Sequence, residues 1–292
     1  PIKGLTIDAT TEGTVKLDDA AGIPVLGGTE GSFAVNKANP EVREAAITEA
    51  YIKAFSGELD KSILSKRRVP ADVVFDANYP LEVKKALVSL LLKRYDAFGY
   101  MDAGILNNVS DAIAWGETMY SVIGDRIFSK NFQHYYIKDP FSGKNIPVTI
   151  TYFLANRIIS HFKTVGAGNH VPFVGDVYTQ ITGAVRNTLK PIVDADDKEV
   201  KESLYKLRLN YFECTAENVF IRGTQSTAQT IWSDLSEENN MHVLLEIKRE
   251  LEEIVASKAY NFSEAEDRQR FTETAERLIS PYVGVKLREG SV

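Results

Sequence analysis

Cysteine is almost absent: Cys214 stands alone among 292 residues. An internal disulfide is therefore excluded, and the chain fits assembly in a reducing compartment. Long apolar runs are also missing. The longest, around Leu87 to Leu92, is broken by Ser89 and flanked by lysines, well short of the roughly 18 residues that mark a membrane span. No basic excess exists either. Lys and Arg number 34 against 40 Asp and Glu, a formal charge of -6, so the basic face of a nucleic-acid binder is not expected. The one basic cluster, Lys66-Arg67-Arg68, is too short for a basic arm. Repeats, low-complexity tracts and a leader pattern are lacking. The chain opens on Pro1 rather than methionine, and the expectation is a fragment of a longer protein.

What is present reads as a soluble layered protein. Apolar residues make up 44% and charged residues 25%, enough for one large domain or two ordinary ones with a sizeable core. Residues 1–22 mix Thr, Asp and Gly with short alternating pieces and read as a hairpin or irregular strands. The stretch "NPEVREAAITEAYIKAFSG" predicts a helix, with Asn39 as N-cap, Pro40 in the first turn and Gly57 as its end. Val73-Val74-Phe75 reads as a strand ending at Asp76, and Asn78 and Pro80 as a turn. Val83, Leu87, Leu90, Leu91 and Arg94 fit a helix, and Phe98 to Met101 a second strand ending at Asp102. That is a βαβ unit with parallel strands. A helix over Asp111 to Ile123, a strand-turn-strand from Asn131 to Thr151 and a helix from about Tyr152 to Phe162 follow. The alternation argues for an α/β domain over residues 23–165. "TVGAGNHVPFVGD" marks the junction. Beyond it, over residues 166–292, a helix with Val200, Leu204 and Leu207 precedes strands at Tyr211 to Cys214 and Val219 to Arg222. A long helix follows, with a stripe of Leu244, Ile247, Leu251, Ile254 and Val255 and the pairs Lys248–Glu252 and Arg249–Glu253. Ser263 and Glu266 form a capping box for a last helix to about Ile279. This second half is α+β.

Candidate chemistry is sparse. "GIPVLGGTEGSFAV", residues 22–35, runs a strand into Gly27, Gly28 and Gly31, the way many phosphate loops begin. A phosphate loop needs a lysine that is missing here, and Glu30 puts negative charge where an anion would sit. The glycines read instead as a tight turn. Asp76 and Asp102 are more tempting. Each ends a strand, and ligands of open parallel sheets bind beyond the carboxyl ends of strands. The two could hold a hard cation such as Mg²⁺, with Asp125 as a third ligand. Aspartate is also a common turn former and N-cap. The histidines His134, His161, His170 and His242 lie in no catalytic motif and lack zinc spacing with Cys214. Cys214 reads as a small buried hydrophobe.

The order of these pieces resembles the contractile tail sheath proteins of bacteriophages. "LGGTEG" resembles their glycine-rich strand end. "ADVVFDANYPLEVKKALVSLLLKRYDAFGYMDAG" is similar to the helix and strand segment that follows, and "GAGNHVPFVG" to the passage into a C-terminal domain. "LYKLRLNYFECTAENVFIRGTQSTA" and "SDLSEENNMHVLLEIKRELEEI" resemble the later strands and long helix. The resemblance covers roughly residues 23–280. It departs at Glu30, where Asp is more usual, and the first 22 residues match nothing in it. It implies a subtilisin-like layered sheet with flanking helices, without protease activity, followed by an apparently truncated C-terminal α+β domain. It implies no enzyme activity, no catalytic, cofactor or metal residues and no cofactor. The implied partners are other sheath subunits in a helical polymer, the tail tube and the baseplate, with no direct contact to nucleic acid or membrane. The implied location is the virion tail, after assembly in the host cytoplasm. If arms that add strands to a neighbour's sheet are missing, this piece is expected to be monomeric. The alternative is a metal-dependent α/β hydrolase or phosphotransferase using Asp76 and Asp102.

Overall fold

The computed structural model describes residues 40–165, 172–175, 179–181, 188–215, 220–258 and 265–283. The glycine loop at 27–31, the first 22 residues, His170, Ser263 and most of the glycine-rich junction lie outside the described residues. The chain divides into two compact units, Pro1–Lys53 and Ala54–Val292. Helix α1 (Pro40–Ser56) begins on the expected proline, and Gly57 ends it at φ +83°. That angle favours glycine because a Cβ there is strained.

The second unit is mixed α/β. Its main sheet holds four strands in the order β1 (Val73–Phe75), β2 (Phe98–Asp102), β3 (Phe128–Asn131) and β7 (Leu209–Asn210), all parallel. The expected βαβ unit is present, with α2 (Leu81–Arg94) as its crossover. Helices cover both faces of this sheet, as parallel strands require. Gly99 turns toward α2, where an added Cβ would stand 2.9 Å from Leu91 Cδ1. Phe98 and Tyr100 turn the other way, onto His242 of α6 (Glu238–Lys258), with ring centroids 4.6 and 6.1 Å away. Leu87, Leu91, Phe98, Met101, Ile123, Phe128, Ile150, Leu154, Met241 and Leu245 join in one buried core.

Several expectations are corrected. The strand-turn-strand read from Asn131 to Thr151 is present as β4 (His134–Lys138) paired antiparallel with β5 (Asn145–Thr149), but a separate strand precedes it, β3, which ends at Asn131 and belongs to the parallel sheet. β3 was hidden because Ser129, Lys130 and Asn131 are polar yet buried. Helix α3 runs Val109–Met119 rather than Asp111 to Ile123, and Asn108 caps it by accepting from Asp111 N at 2.8 Å. Helix α4 (Ile150–Val165) begins directly after β5. The sheet also spans the junction near residue 166, because β7 lies beyond it and supplies the fourth strand. Around β7, α5 (Lys198–Lys206) and α3 close a smaller core through Ala112, Leu204 and Leu209. A third sheet orders β6 (Val193–Asp194), β8 (Phe212–Cys214) and β9 (Phe220–Arg222); β8 and β9 are antiparallel, as their turn suggested.

The long helix keeps Ile247 and Leu251 of the expected stripe in a buried cluster but buries further residues beside them. Met241 and Leu245 enter the main core. Val243 and Ile247 pack against Leu278 and Ile279 of α7 (Ala265–Ile279). Leu244 and Val255 face solvent. Lys248 meets Glu252 at 3.6 Å, but Arg249 turns to Asp72 at 2.9 Å instead of Glu253. Helix α6 thus serves two neighbours, which a single helical stripe does not reveal. Among the described residues, no helix is long and apolar enough to cross a membrane.

Candidate functional site

The carboxyl ends of β1 and β2 bring Asp76 and Asp102 together, as the parallel pairing predicts. Both are buried, at 2% and 0% exposure. Between them stands Lys84 of α2. Its Nζ donates to Asp76 Oδ2 and reaches Asp102 Oδ1 at 3.3 Å. The remaining oxygens are also occupied. Asp76 Oδ1 accepts from Tyr79 N at 3.0 Å. Asp102 Oδ1 accepts from Gly104 N at 2.9 Å, and Oδ2 from Asn78 N at 3.3 Å. The Thr151 hydroxyl, at the start of α4, lies 2.9 Å from Asp102 Oδ2 and 3.0 Å from Asp76 O, and can donate to either. Asn78 makes its bond from a left-handed conformation, φ 60°.

This constellation corrects the metal reading. The cation between the two carboxylates is the ammonium of Lys84, so a divalent ion would have to displace a buried, hydrogen-bonded side chain. Asp125 does not join them. It accepts from Ile127 N at 3.1 Å and from the Tyr95 hydroxyl at 3.5 Å. Among the described residues, no group of three or more His, Cys, Asp or Glu is placed to hold a metal. Two carboxylates against one ammonium leave the cluster formally at -1. Burial, then the charge of Asp102, hold the Asp76 carboxyl above its ordinary pKa, against the pull of Lys84. The signal for Lys84 was available: it shares a helical face with Leu87, Val88 and Leu91. A lysine on an apolar stripe needs a buried anion.

Three further buried groups of hydrogen bonds were not read from the sequence. Arg222 of β9 donates to Glu238 Oε1 of α6 at 2.6 Å and to Phe173 O at 3.2 Å. Asn210 Nδ2 also reaches Glu238 Oε1, at 3.1 Å, while its Oδ1 accepts from Ser226 N at 2.7 Å. Gln133 holds β8 by donating to Phe212 O at 2.9 Å and accepting from Phe212 N at 2.7 Å. Arg94 forks onto Asp96 and donates to the carbonyls of Ile63 and Val69. Partners of these bonds lie 16 to 79 residues apart, except Arg94–Asp96. Their joint effect is to fix loops, strands and helices in one arrangement, because breaking any member leaves a buried polar group or, at Arg94–Asp96 and Arg222–Glu238, a buried charge without its partner.

The described histidines do no visible chemistry. His242 shares a 2.8 Å hydrogen bond with the Tyr100 hydroxyl. Burial, with the nearby charges of Arg249 and Arg222, pushes its pKa down to about 3. His134 and His161 are buried. Cys214 is half-buried in β8, and no described histidine is its partner.

Solved structures with this fold come from contractile systems. The sheath complex of an extracellular contractile injection system (PVC), in its contracted state, matches with a TM-score of 0.56 and 10% identity, over 75% of this chain and 58% of that one. A chain of the anti-feeding prophage baseplate matches with a TM-score of 0.53 and 9% identity, over 72% and 52%. The sheath tail protein of Desulfitobacterium hafniense gives 0.52 and 10%, over 75% and 47%. This chain has the fold of contractile sheath proteins and spans about half the length of the solved chains it matches. No protein-family model and no curated protein matches the sequence.

Proposed function

We propose that this chain is part of a structural subunit of a contractile tail or injection-system sheath. It would polymerise around a tail tube and contract to drive the tube through a cell envelope. The observation that carries this reading is the shared fold with the two sheath proteins, PVC and Desulfitobacterium, over three quarters of the chain. The site geometry supports it. The acidic pair that suggested an enzyme is closed by Lys84, and the fold is cross-tied by buried ion pairs. A sheath works by exchanging one packing of rigid subunits for another. It needs a body that moves without deforming.

On this reading the four-stranded parallel sheet, β7 included, is the subtilisin-like layer of the sheath core, and the rest of the segment after residue 166 carries its α+β complement. The partners are other sheath subunits, the tube and the baseplate. The chain is not an enzyme and needs no cofactor, and it works in the assembled tail after assembly in the host cytoplasm. Electron microscopy of the purified full-length protein tests the proposal. Rings or helical tubes are expected; dispersed particles under all assembly conditions would overturn it.

A further inference from the structure

The β4–β5 hairpin forms a two-stranded sheet of its own, zipped by five register pairs from His134–Thr149 to Lys138–Asn145. Its tip is tightly built. Asp139 accepts from Phe141 N and Ser142 N, each at 3.1 Å, and Gly143 N donates to Asp139 O at 2.9 Å. This turn holds Phe141 in water at 97% exposure, and Tyr136 and Ile146 on the strands are exposed as well. Lys138 and Lys144 flank the tip, and among the described residues neither has an ion-pair partner. Two lysines and Asp139 leave the tip formally at +1. A two-stranded ribbon is marginal by itself, and exposed apolar surface of this kind marks a contact site.

A hollow of about 400 Å³ lies at the base of the same hairpin, walled by Phe75, Ala77, Pro147, Val148, Tyr152 and Ala155. Asp76 also lines it, so the Asp76–Lys84–Asp102 cluster, formally at -1, borders an apolar wall. Such a hollow suits an aromatic side chain flanked by lysines. Two other hollows do not. The one beside Val88, Leu92 and Val122 carries Lys85 and Lys93 and repels such a tip. The one between Lys66, Asp72, Arg249 and Glu252 is lined by ion pairs of its own. The chain's own tip cannot enter the hollow at the hairpin base. The ladder runs from Thr149 to Lys144 and carries the tip about 10 Å beyond Pro147. A tip that enters must come from another copy. We propose that Phe141, between Lys138 and Lys144 of one copy, enters the hollow at the base of a second copy's hairpin. Phe141 packs against Tyr152 and Pro147, and the lysines meet the negative side. Knob and hole lie on different surfaces, so the contact is heterologous. It repeats from copy to copy into a ring or a helical filament. The proposal rests on the sheath reading and names one contact through which copies would join.

The test uses the full-length protein under conditions where the wild type assembles. Phe141→Ser and Tyr152→Ala alter side chains that are 97% and 67% exposed, and circular dichroism checks that the fold is kept. Each is expected to raise the concentration needed for assembly roughly tenfold or more, the effect of losing an interface anchor. The double variant should be little worse than either single one, because both remove the same contact. Cross-linking then locates the contact. One preparation carries Phe141→Cys and another Ala155→Cys, both with Cys214→Ser. Mixed and oxidised during assembly, they should give a disulfide-linked pair of the two, identified by mass spectrometry. Assembly unchanged in both exposed variants, or no mixed pair, would overturn this proposal. So would flotation of the wild type with phosphatidylserine–phosphatidylcholine vesicles that Phe141→Ser abolishes, since the tip would then be a lipid anchor. These outcomes leave the sheath reading standing, whereas a wild type that never assembles overturns both.

Discussion

Replacing Lys84 by methionine tests whether the Asp76–Lys84–Asp102 cluster is a structural tie. Methionine keeps most of the side-chain volume and removes the ammonium, so two buried carboxylates are left facing each other. The longer contact, at 3.3 Å, is worth about 5 kcal/mol of attraction at an effective dielectric of about 20. In the intact protein, the desolvation of three charged groups offsets much of this. In the variant the carboxylates keep their desolvation cost and lose the attraction. We expect Lys84→Met to cost about 3–5 kcal/mol at pH 8, a fall in Tm of roughly 6–20 °C for a unit of this size. The loss should depend on pH with a defined sign. Burial and Asp102 already raise the Asp76 carboxyl, and Lys84 pulls it down; without Lys84 it rises further. A carboxyl raised above its unfolded value of about 4 contributes stability that is full below that value and is lost as pH climbs through the folded pKa. The deficit should therefore shrink as pH falls from 8 toward 4. Urea unfolding of both proteins across that range measures it. Adding Asp76→Asn to Lys84→Met should recover at least about 1 kcal/mol at pH 8 by removing one of two like charges. A Lys84→Met variant within about 0.5 kcal/mol of wild type at pH 8, or a deficit indifferent to pH, would refute the reasoning.

Arg222→Met strands Glu238 in the core and should cost about 3–5 kcal/mol by the same assay. Glu238→Gln, which keeps an acceptor for Asn210, should cost less. Gly223→Ala places a Cβ 2.5 Å from Tyr211 Cε2 and should cost about 1–3 kcal/mol in thermal melts. Phe141→Ser, at the hairpin tip with 97% exposure, should stay within about 0.5 kcal/mol. His242 has a folded pKa of about 3 against 6.5 unfolded. Its contribution is therefore full above pH 6.5 and is lost as pH falls toward 3, by about 5 kcal/mol at the limit. NMR of the imidazole should show it neutral wherever the protein remains folded above pH 4.5.

Much of the candidate site was legible locally. Strands at Val73–Phe75 and Phe98–Asp102, with the helix between them, follow from short apolar runs, a proline turn and helical spacing. Parallel pairing then brings their terminal aspartates together, because consecutive strands of a βαβ unit present the same ends. The cation between them was less visible. Lys84 lies on the apolar face of its helix, but a single lysine among leucines is more easily read as a stem reaching toward water. β3 escaped notice because Ser129, Lys130 and Asn131 are polar yet buried. Asn131, for example, donates to Met101 O at 3.2 Å. β7 is two residues long and carries no periodicity at all.

The sequence by itself determined the helices, the parallel pair, the antiparallel β8–β9 pair and the absence of disulfides, because each rests on contacts between near neighbours or on composition. Only the tertiary structure decided that β7 completes the first sheet, that α6 packs on two neighbours, and that Lys84 and Arg222 find carboxylates. Those choices join residues far apart in the chain. Their signal is the avoidance of an unpaired buried charge, which exists only once the fold has closed around it.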